Sequence, residues 1–245
     1  MTASTRNFPD PVAAAIFDFD ETMIDLEPQH TSASVELCRS FGDDYATLPE
    51  SWRHGSGRRV IDDVQDLRVH FGWQKPVDEI FALRQSLFDR ACAEAPLELM
   101  AGVEESVRAL HAAGIVLAIT SSAVRGSIEA ILRRFGLRDR FALIVDGSEV
   151  ERGKPDPQAY RLTAEKLGVD PAHCIVFEDS TVGVTAAKSA GMFCVAVRNP
   201  RAQMRQELDA ADVVLDSFEE LSYGAPISSS TPSSRNGRSA PKRGG

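Results

Sequence analysis

The 245-residue sequence predicts an α/β protein: a doubly wound, mostly parallel sheet with a helical domain inserted after its first strand. Three observations carry this expectation. Short apolar runs at 13–17, 115–119 and 175–177 end in polar clusters, as strands buried on both faces do. Between such runs lie stretches with apolar residues three and four positions apart, the helical period. Strands alternating with helices are the pattern of a parallel sheet covered on both sides. Residues 26–98, lying between the first two strands, are too many for a plain crossover loop.

Taken in order, 13–17 is the first strand and closes on Asp18-Phe19-Asp20-Glu21-Thr22. Helices are predicted at 32–41, Val60–Phe71 and 77–95 within the insertion. Further helices follow at 106–113, ended by Gly114, and 127–135, ended by Gly136. Strands are read at 115–119, 141–145, 175–177, 194–197 and Val213–Leu215, with a helix over Gln158–Leu167 and a last short helix from 219.

The polar ends of the strands hold the chemistry. Asp18 and Asp20 fall at the carboxyl edge of the sheet, where open α/β folds bind ligands. Two carboxylates that close repel, so they call for a shared proton or a cation. A hard ion such as Mg²⁺ takes carboxylate, carbonyl and phosphate oxygens. Thr120-Ser121-Ser122 offers hydroxyls and backbone N–H groups for phosphate oxygens. Gly153-Lys154-Pro155-Asp156-Pro157 presents a lysine on a turn, and Glu178-Asp179-Ser180 ends another strand. Singly, each segment reads as a helix cap or a surface turn; their joint order, each after its own strand, points to one site.

With these four motifs the chain resembles the haloacid dehalogenase-like (HAD) hydrolases, within them the sugar phosphatase and β-phosphoglucomutase branch, over roughly 12–222. The resemblance implies a Rossmann-like core formed by 1–25 and 99–223 and a helical cap formed by 26–98. It further implies Asp18 as nucleophile, Asp20 as general acid and base, and Lys154 as the lysine that neutralises phosphoryl charge. Thr120 and Ser121 would hold the phosphoryl oxygens. Asp18, Asp20 through its carbonyl, Glu178 and Asp179 would hold Mg²⁺. Cap residues Arg58, in Gly55-Ser56-Gly57-Arg58-Arg59, together with His30 and Arg84, would meet the substrate. In the mutases an arginine near position 58 holds a second phosphate. Lys75 is the only cap lysine and sits in a turn before Pro76, which argues against Schiff-base chemistry. Glu21 departs from the family's glycine.

The implied function is an Mg²⁺-dependent phosphatase acting on a phosphorylated sugar or sugar-like polyol such as a cyclitol. A mutase uses the same core residues, and Glu21 is the one feature that suggests a catalytically silent binding protein. Dehalogenation has no need of Asp20 or the metal-binding acids.

Bulk properties agree. Hydrophobic residues make up 43% of the chain, enough for a core and a small second domain. The net charge of −9 disfavours nucleic acid. No run is long enough to span a membrane, and residues 1–9 lack a signal-peptide core, so a cytoplasmic protein is expected. Cys38, Cys92, Cys174 and Cys194 lack paired spacing and read as reduced thiols. The tail 224–245, rich in Ser, Pro and Gly and carrying four basic and no acidic residues, is expected to be disordered.

Overall fold

The computed structural model describes residues 8–53, 57–202 and 206–221. The tail 224–245 and loop residues Gly55 and Ser56 lie outside the described residues, as does most of the N-terminal segment 1–9. The elements run β1 (Ala14–Phe17), α1 (Glu27–Ser40), α2 (Glu50–Arg53), α3 (Val60–Phe71), α4 (Val77–Glu94), α5 (Val103–Ala112), β2 (Val116–Thr120), α6 (Arg125–Arg134) and β3 (Leu143–Val145). They continue α7 (Gln158–Leu167), β4 (Cys174–Glu178), α8 (Thr181–Ser189), β5 (Phe193–Val197) and β6 (Val213–Leu215).

All six strands pair in parallel, in the order β3-β2-β1-β4-β5-β6. Strand side chains alternate faces, and two apolar cores result. Ala15, Phe17, Leu117, Ile119 and Phe177 pack on one side with Val107, Leu110 and Ile128 of α5 and α6. Ala14, Ile16, Ala118 and Val176 pack on the other with Tyr160, Ala164, Val184 and Ala187 of α7 and α8. The sheet is therefore covered on both faces, which is why its strands read as continuous apolar runs rather than as alternation. Phe17 stacks on Phe177 at 4.6 Å between ring centroids, joining β1 to β4.

Between β1 and β2 the insertion is helical, with α1 and α3 both packed on α4. Ala33 and Leu37 of α1 and Ile80, Leu87 and Phe88 of α4 are buried in it. Its first helix starts at Glu27, earlier than the pattern predicts, because Pro28 in the first turn already has a helical φ and lacks only an N–H that needs no partner there. α2 is too short to show a period. α5 likewise begins early, at Val103, after Gly102 in a left-handed conformation with φ 81°. No side chain fits there: a Cβ would stand 2.5 Å from the backbone nitrogen of Glu219. The expected terminal helix is a 3₁₀ turn, Phe218–Glu220, capped by Ser217. No helix among the described residues is long and apolar enough to cross a membrane, and all four cysteines are buried and free.

Candidate active site

Parallel pairing in register brings the polar ends of three strands together. Phe17 is level with Ile119 on one side and with Phe177 on the other. Asp18, the Thr120-Ser121-Ser122 segment and Glu178-Asp179 are thus neighbours at one sheet edge. Lys154 reaches them from the turn before α7. Its Nζ lies 2.5 Å from Asp18 Oδ1 and 2.5 Å from Glu178 Oε1, with all three side chains almost fully buried.

Thr22, quoted in the first motif without a role, donates to both Asp18 Oδ2 (3.1 Å) and Asp179 Oδ1 (2.9 Å). Glu178 accepts from Tyr160 Oη at 2.6 Å as well as from Lys154, and its other oxygen accepts from the N–H groups of Asp179 and Ser180 and from Ser180 Oγ. Gly183, one turn into α8, lies against this carboxylate so closely that a Cβ would stand within 2.1 Å of its atoms. Gln206 donates to the carbonyl of Asp179 at 2.8 Å. Tyr160 and Gln206 carry no local signal; only the fold brings them here.

Asp18, Glu178 and Asp179 each offer an oxygen, and these lie within 4.8 Å of one another. This all-oxygen set suits a hard divalent cation. Asp20 Oδ1 is buried without a hydrogen-bond partner, a further orphaned acceptor in the same region. The electrostatics carry the same message. Burial above all pushes Asp18 up to about 7, with Glu178 and Asp20 adding to it and Lys154 opposing. Burial and the charges of Glu178 and Asp18 push Asp179 well above the usual carboxylate range. Burial would lower Lys154, but Asp18 and Glu178 outweigh it and hold the ammonium protonated.

A consequence for stability follows from the sign of these shifts. Folded Asp18 binds its proton more tightly than the unfolded chain, whose value is near 3.8, and Asp179 acts in the same direction. Stability of the metal-free protein should therefore fall as pH rises from about 4 to about 7. We expect its Tm to be lower by roughly 5 °C at pH 8 than at pH 5, and Mg²⁺ to raise Tm more at pH 8. Calorimetry in EDTA and in Mg²⁺ measures both; equal Tm values and equal Mg²⁺ effects at the two pH values would refute this crowding.

The Thr120-Ser121-Ser122 segment is placed differently from what a phosphate-holding role would need at two of its groups. Thr120 is fully buried with its hydroxyl on Thr163 at 2.6 Å, on the α7 side, and Ser121 N–H is bonded to Val145 O at 3.0 Å. The Thr120 hydroxyl is thus spent on α7 and the Ser121 N–H on the end of β3, and neither is turned to the pocket. The pocket itself is lined by Ser121, Ser122 and Ala123 with Asp18, Asp20 and Asp179.

The insertion covers this floor with Glu27, His30, Gly57, Arg58, Asp63, Asp66 and Arg84. Arg84 donates from Nη2 to His30 Nδ1 at 2.7 Å. Arginine has no acceptor, so the His30 proton sits on Nε2, 3.4 Å from Asp20 Oδ2. Cap residues His30 and Arg84 are thus brought to Asp20 as a chain. Arg58 lines the pocket, but its two terminal nitrogens are taken by Asp63 and Asp66. Neighbouring Arg59 joins cap to core, donating to Val150 O at 2.8 Å, while Gly57 O accepts from Ser122 Oγ at 2.8 Å. Gly57 has φ 79° and faces Ser180 and Val182 where a Cβ would clash. Lys75 is exposed near Glu79 and is not among the pocket residues.

Glu21 keeps the left-handed backbone that glycine would adopt, φ 62°, at a cost of about 1–2 kcal/mol. Its N–H donates to Ile24 O at 2.7 Å, which closes the turn. Burial, then Glu27, Asp20, Asp25 and Asp18, push its carboxyl up to about 8.

An open parallel sheet with buried carboxylates and a lysine at its carboxyl edge has the build of a phosphoryl-transfer enzyme. The chain belongs to the haloacid dehalogenase-like hydrolases, whose family model matches residues 12–191. It is a phosphatase of that family. It is 34% identical to hexitol phosphatase B of Escherichia coli (strain K12) over 223 residues, 87% of this chain and 96% of the relative. It is 32% identical to the fructose-1-phosphate phosphatase YqaB of the same organism over 192 residues, 76% of this chain and 96% of that one. Among solved structures, CbbY from Rhodobacter sphaeroides in complex with phosphate superposes with a TM-score of 0.76 at 29% identity, covering 85% of this chain and 96% of the other.

Proposed function

We propose that the protein is an Mg²⁺-dependent phosphatase that hydrolyses a phosphate monoester of a sugar or sugar-like polyol, a hexitol or cyclitol included, through an aspartyl-phosphate on Asp18. The observation that carries this reading is the Asp18 carboxylate, buried on the pocket floor 2.5 Å from Lys154 with Asp20 two residues on. The similarity to hexitol and fructose-1-phosphate phosphatases supports the polyol leaving group.

Mg²⁺ would be held by Asp18, Asp179 and the Asp20 carbonyl, with Glu178 in direct contact or through water, and would neutralise charge on the phosphoryl oxygens. Glu178, already bonded to Lys154, Tyr160 and Ser180, also fixes the ammonium. Asp18 attacks phosphorus through a carboxylate oxygen while the bond to the leaving oxygen breaks. Asp20 gives that oxygen its proton, and Lys154 balances the charge on the transferred group. Asp20, now ionised, takes a proton from water, whose oxygen attacks phosphorus and releases Asp18 and inorganic phosphate. The chain Arg84–His30 orients Asp20 for both transfers. Thr120 fixes the end of β2, and Ser121 meets phosphoryl oxygens through its hydroxyl. The cap, residues 26–98, excludes bulk water from the pocket.

The test is free-phosphate release from a panel of sugar, hexitol and cyclitol monophosphates in Mg²⁺. Stoichiometric release from one or a few members, abolished by EDTA, is the expected result. Isomerisation with little phosphate released, or no turnover of any monoester, would overturn the reading.

A further inference from the structure

We propose that Asp63 and Asp66 occupy Arg58 in place of a second anionic group of the substrate, so that the pocket accepts monoesters with uncharged leaving groups and turns away bisphosphates. The inference rests on the phosphatase reading and deepens it.

Arg58 precedes α3 by two positions, and Asp63 and Asp66 lie three apart on that helix, so both carboxylates share a face. The guanidinium spans them, Nη1 to Asp63 Oδ1 at 3.2 Å and Nη2 to Asp66 Oδ2 at 2.7 Å, and all three residues line the pocket. The other arginine of the pocket, Arg84, spends one terminal nitrogen on His30 and keeps the other buried without a partner, a donor for one oxygen of a ligand. Glu21 and Glu27 add carboxyl groups to the same lining.

A distal phosphate placed here meets a guanidinium already neutralised by two carboxylates. To pair with Arg58 it must displace both; Arg84 already faces Asp63 and is engaged by His30, so Asp66 in particular is left without its cation. Specificity against a ligand is commonly built in this way, by leaving charges unpaired when it binds. A sugar hydroxyl faces no such cost, since it donates to Asp63 or Asp66 without breaking the ion pair.

The test compares kcat/KM for fructose 1-phosphate with fructose 1,6-bisphosphate, and for glucose 6-phosphate with glucose 1,6-bisphosphate, at enzyme concentrations that give a measurable rate on each. The ratio within each pair is read, so a general loss of activity cancels. Wild type should favour the monoester by roughly 30-fold, the order expected of an unrelieved like-charge contact. Asp63→Asn/Asp66→Asn should narrow the ratio to about 3-fold or less, because the bisphosphate gains at a freed Arg58. Arg58→Ala should widen it. Asp66→Asn alone, at a half-exposed helix position, removes less of the structure and should narrow the ratio in part. A wild-type ratio near one, or a ratio unmoved by the Asn variants, would overturn the proposal while leaving the phosphatase reading intact. Absence of phosphate release from every monoester and from p-nitrophenyl phosphate would overturn that reading instead.

Discussion

Asp18→Asn should lower kcat by at least about 10⁴-fold on every phosphate ester, because it removes the attacking oxygen rather than a helper. The change is close to isosteric. Asn keeps an oxygen for Lys154 or Thr22, whose contacts to Asp18 measure 2.5 and 3.1 Å, so the fold has no reason to open. It also deletes one of three crowded carboxylates. The metal-free variant should therefore be at least as stable as wild type at pH 8, where ionised Asp18 is least welcome. The pair of measurements is diagnostic: lost turnover with a retained or raised Tm identifies a nucleophile held under electrostatic strain. Substantial residual turnover would remove Asp18 from that role. Lost turnover with a collapsed Tm would mean that Asp18 chiefly supports the structure.

Lys154→Met should damage both stability and activity, and the first effect should depend on pH. The ammonium is the cation shared by Asp18 and Glu178, and it lies 5.2 Å from the Tyr160 ring centroid. Removing one partner from such a buried cluster leaves charge uncompensated and costs about 3–5 kcal/mol. In a chain of this size that corresponds to a Tm lower by roughly 10 °C. The loss should be largest at pH 8 without Mg²⁺. It should shrink at pH 5, where Asp18, raised to about 7, is protonated and no longer adds its charge to that of Glu178. Activity should fall by about 10³-fold, the usual scale for losing a preorganised charge at the reacting group. Thermal melts at the two pH values check the first effect, and steady-state kinetics in saturating Mg²⁺ the second. A pH-independent Tm loss would show that methionine fails through packing alone.

The two variants separate functions that the motifs present together. In the proposed mechanism Asp18 supplies the attacking oxygen, whereas Lys154 supplies the charge that pairs with Asp18 and Glu178 before any substrate arrives. Thr22 and Tyr160 complete that arrangement through hydrogen bonds that neither Asp18 nor Glu178 could do without at such burial.

The core site was legible in the sequence because each of its parts is local. A strand, a polar turn and the helix after it lie within about a dozen residues, and the parallel sheet aligns the turns at one edge by necessity. Asp18, Asp20, Lys154, Glu178 and Asp179 could be picked out as candidates from that pattern, and their roles were implied by the family resemblance. Within the same motifs, side-chain direction was not legible. Thr120 faces Thr163 across the β2–α7 interface, and no pattern in residues 120–122 distinguishes that from facing the pocket. Helix starts at Glu27 and Val103 were displaced for a related reason, since Pro28 and Gly102 act through backbone geometry rather than through apolar period.

The cap is the opposite case. The family resemblance pointed to Arg58, Arg84 and His30, yet what each arginine holds was open. Arg84 meets His30 across 54 positions of sequence, and Arg59 meets Val150 across 91. Arg58 meets Asp66 only eight positions away, but whether a guanidinium reaches into a pocket or back along its own helix depends on the loop conformation before α3. Gly57, pressed against Ser180 and Val182, sets that conformation.

The sequence by itself determined the class of fold, the order of its elements and the carboxylates and lysine of the centre. Apolar period and strand-end chemistry are properties of short stretches of chain. Tertiary structure alone decided which cations remain free, which hydroxyls face inward and how strongly the carboxylates are crowded. Those depend on desolvation and on distances between residues far apart in the chain, and both exist only once the sheet and its cap have closed around the site.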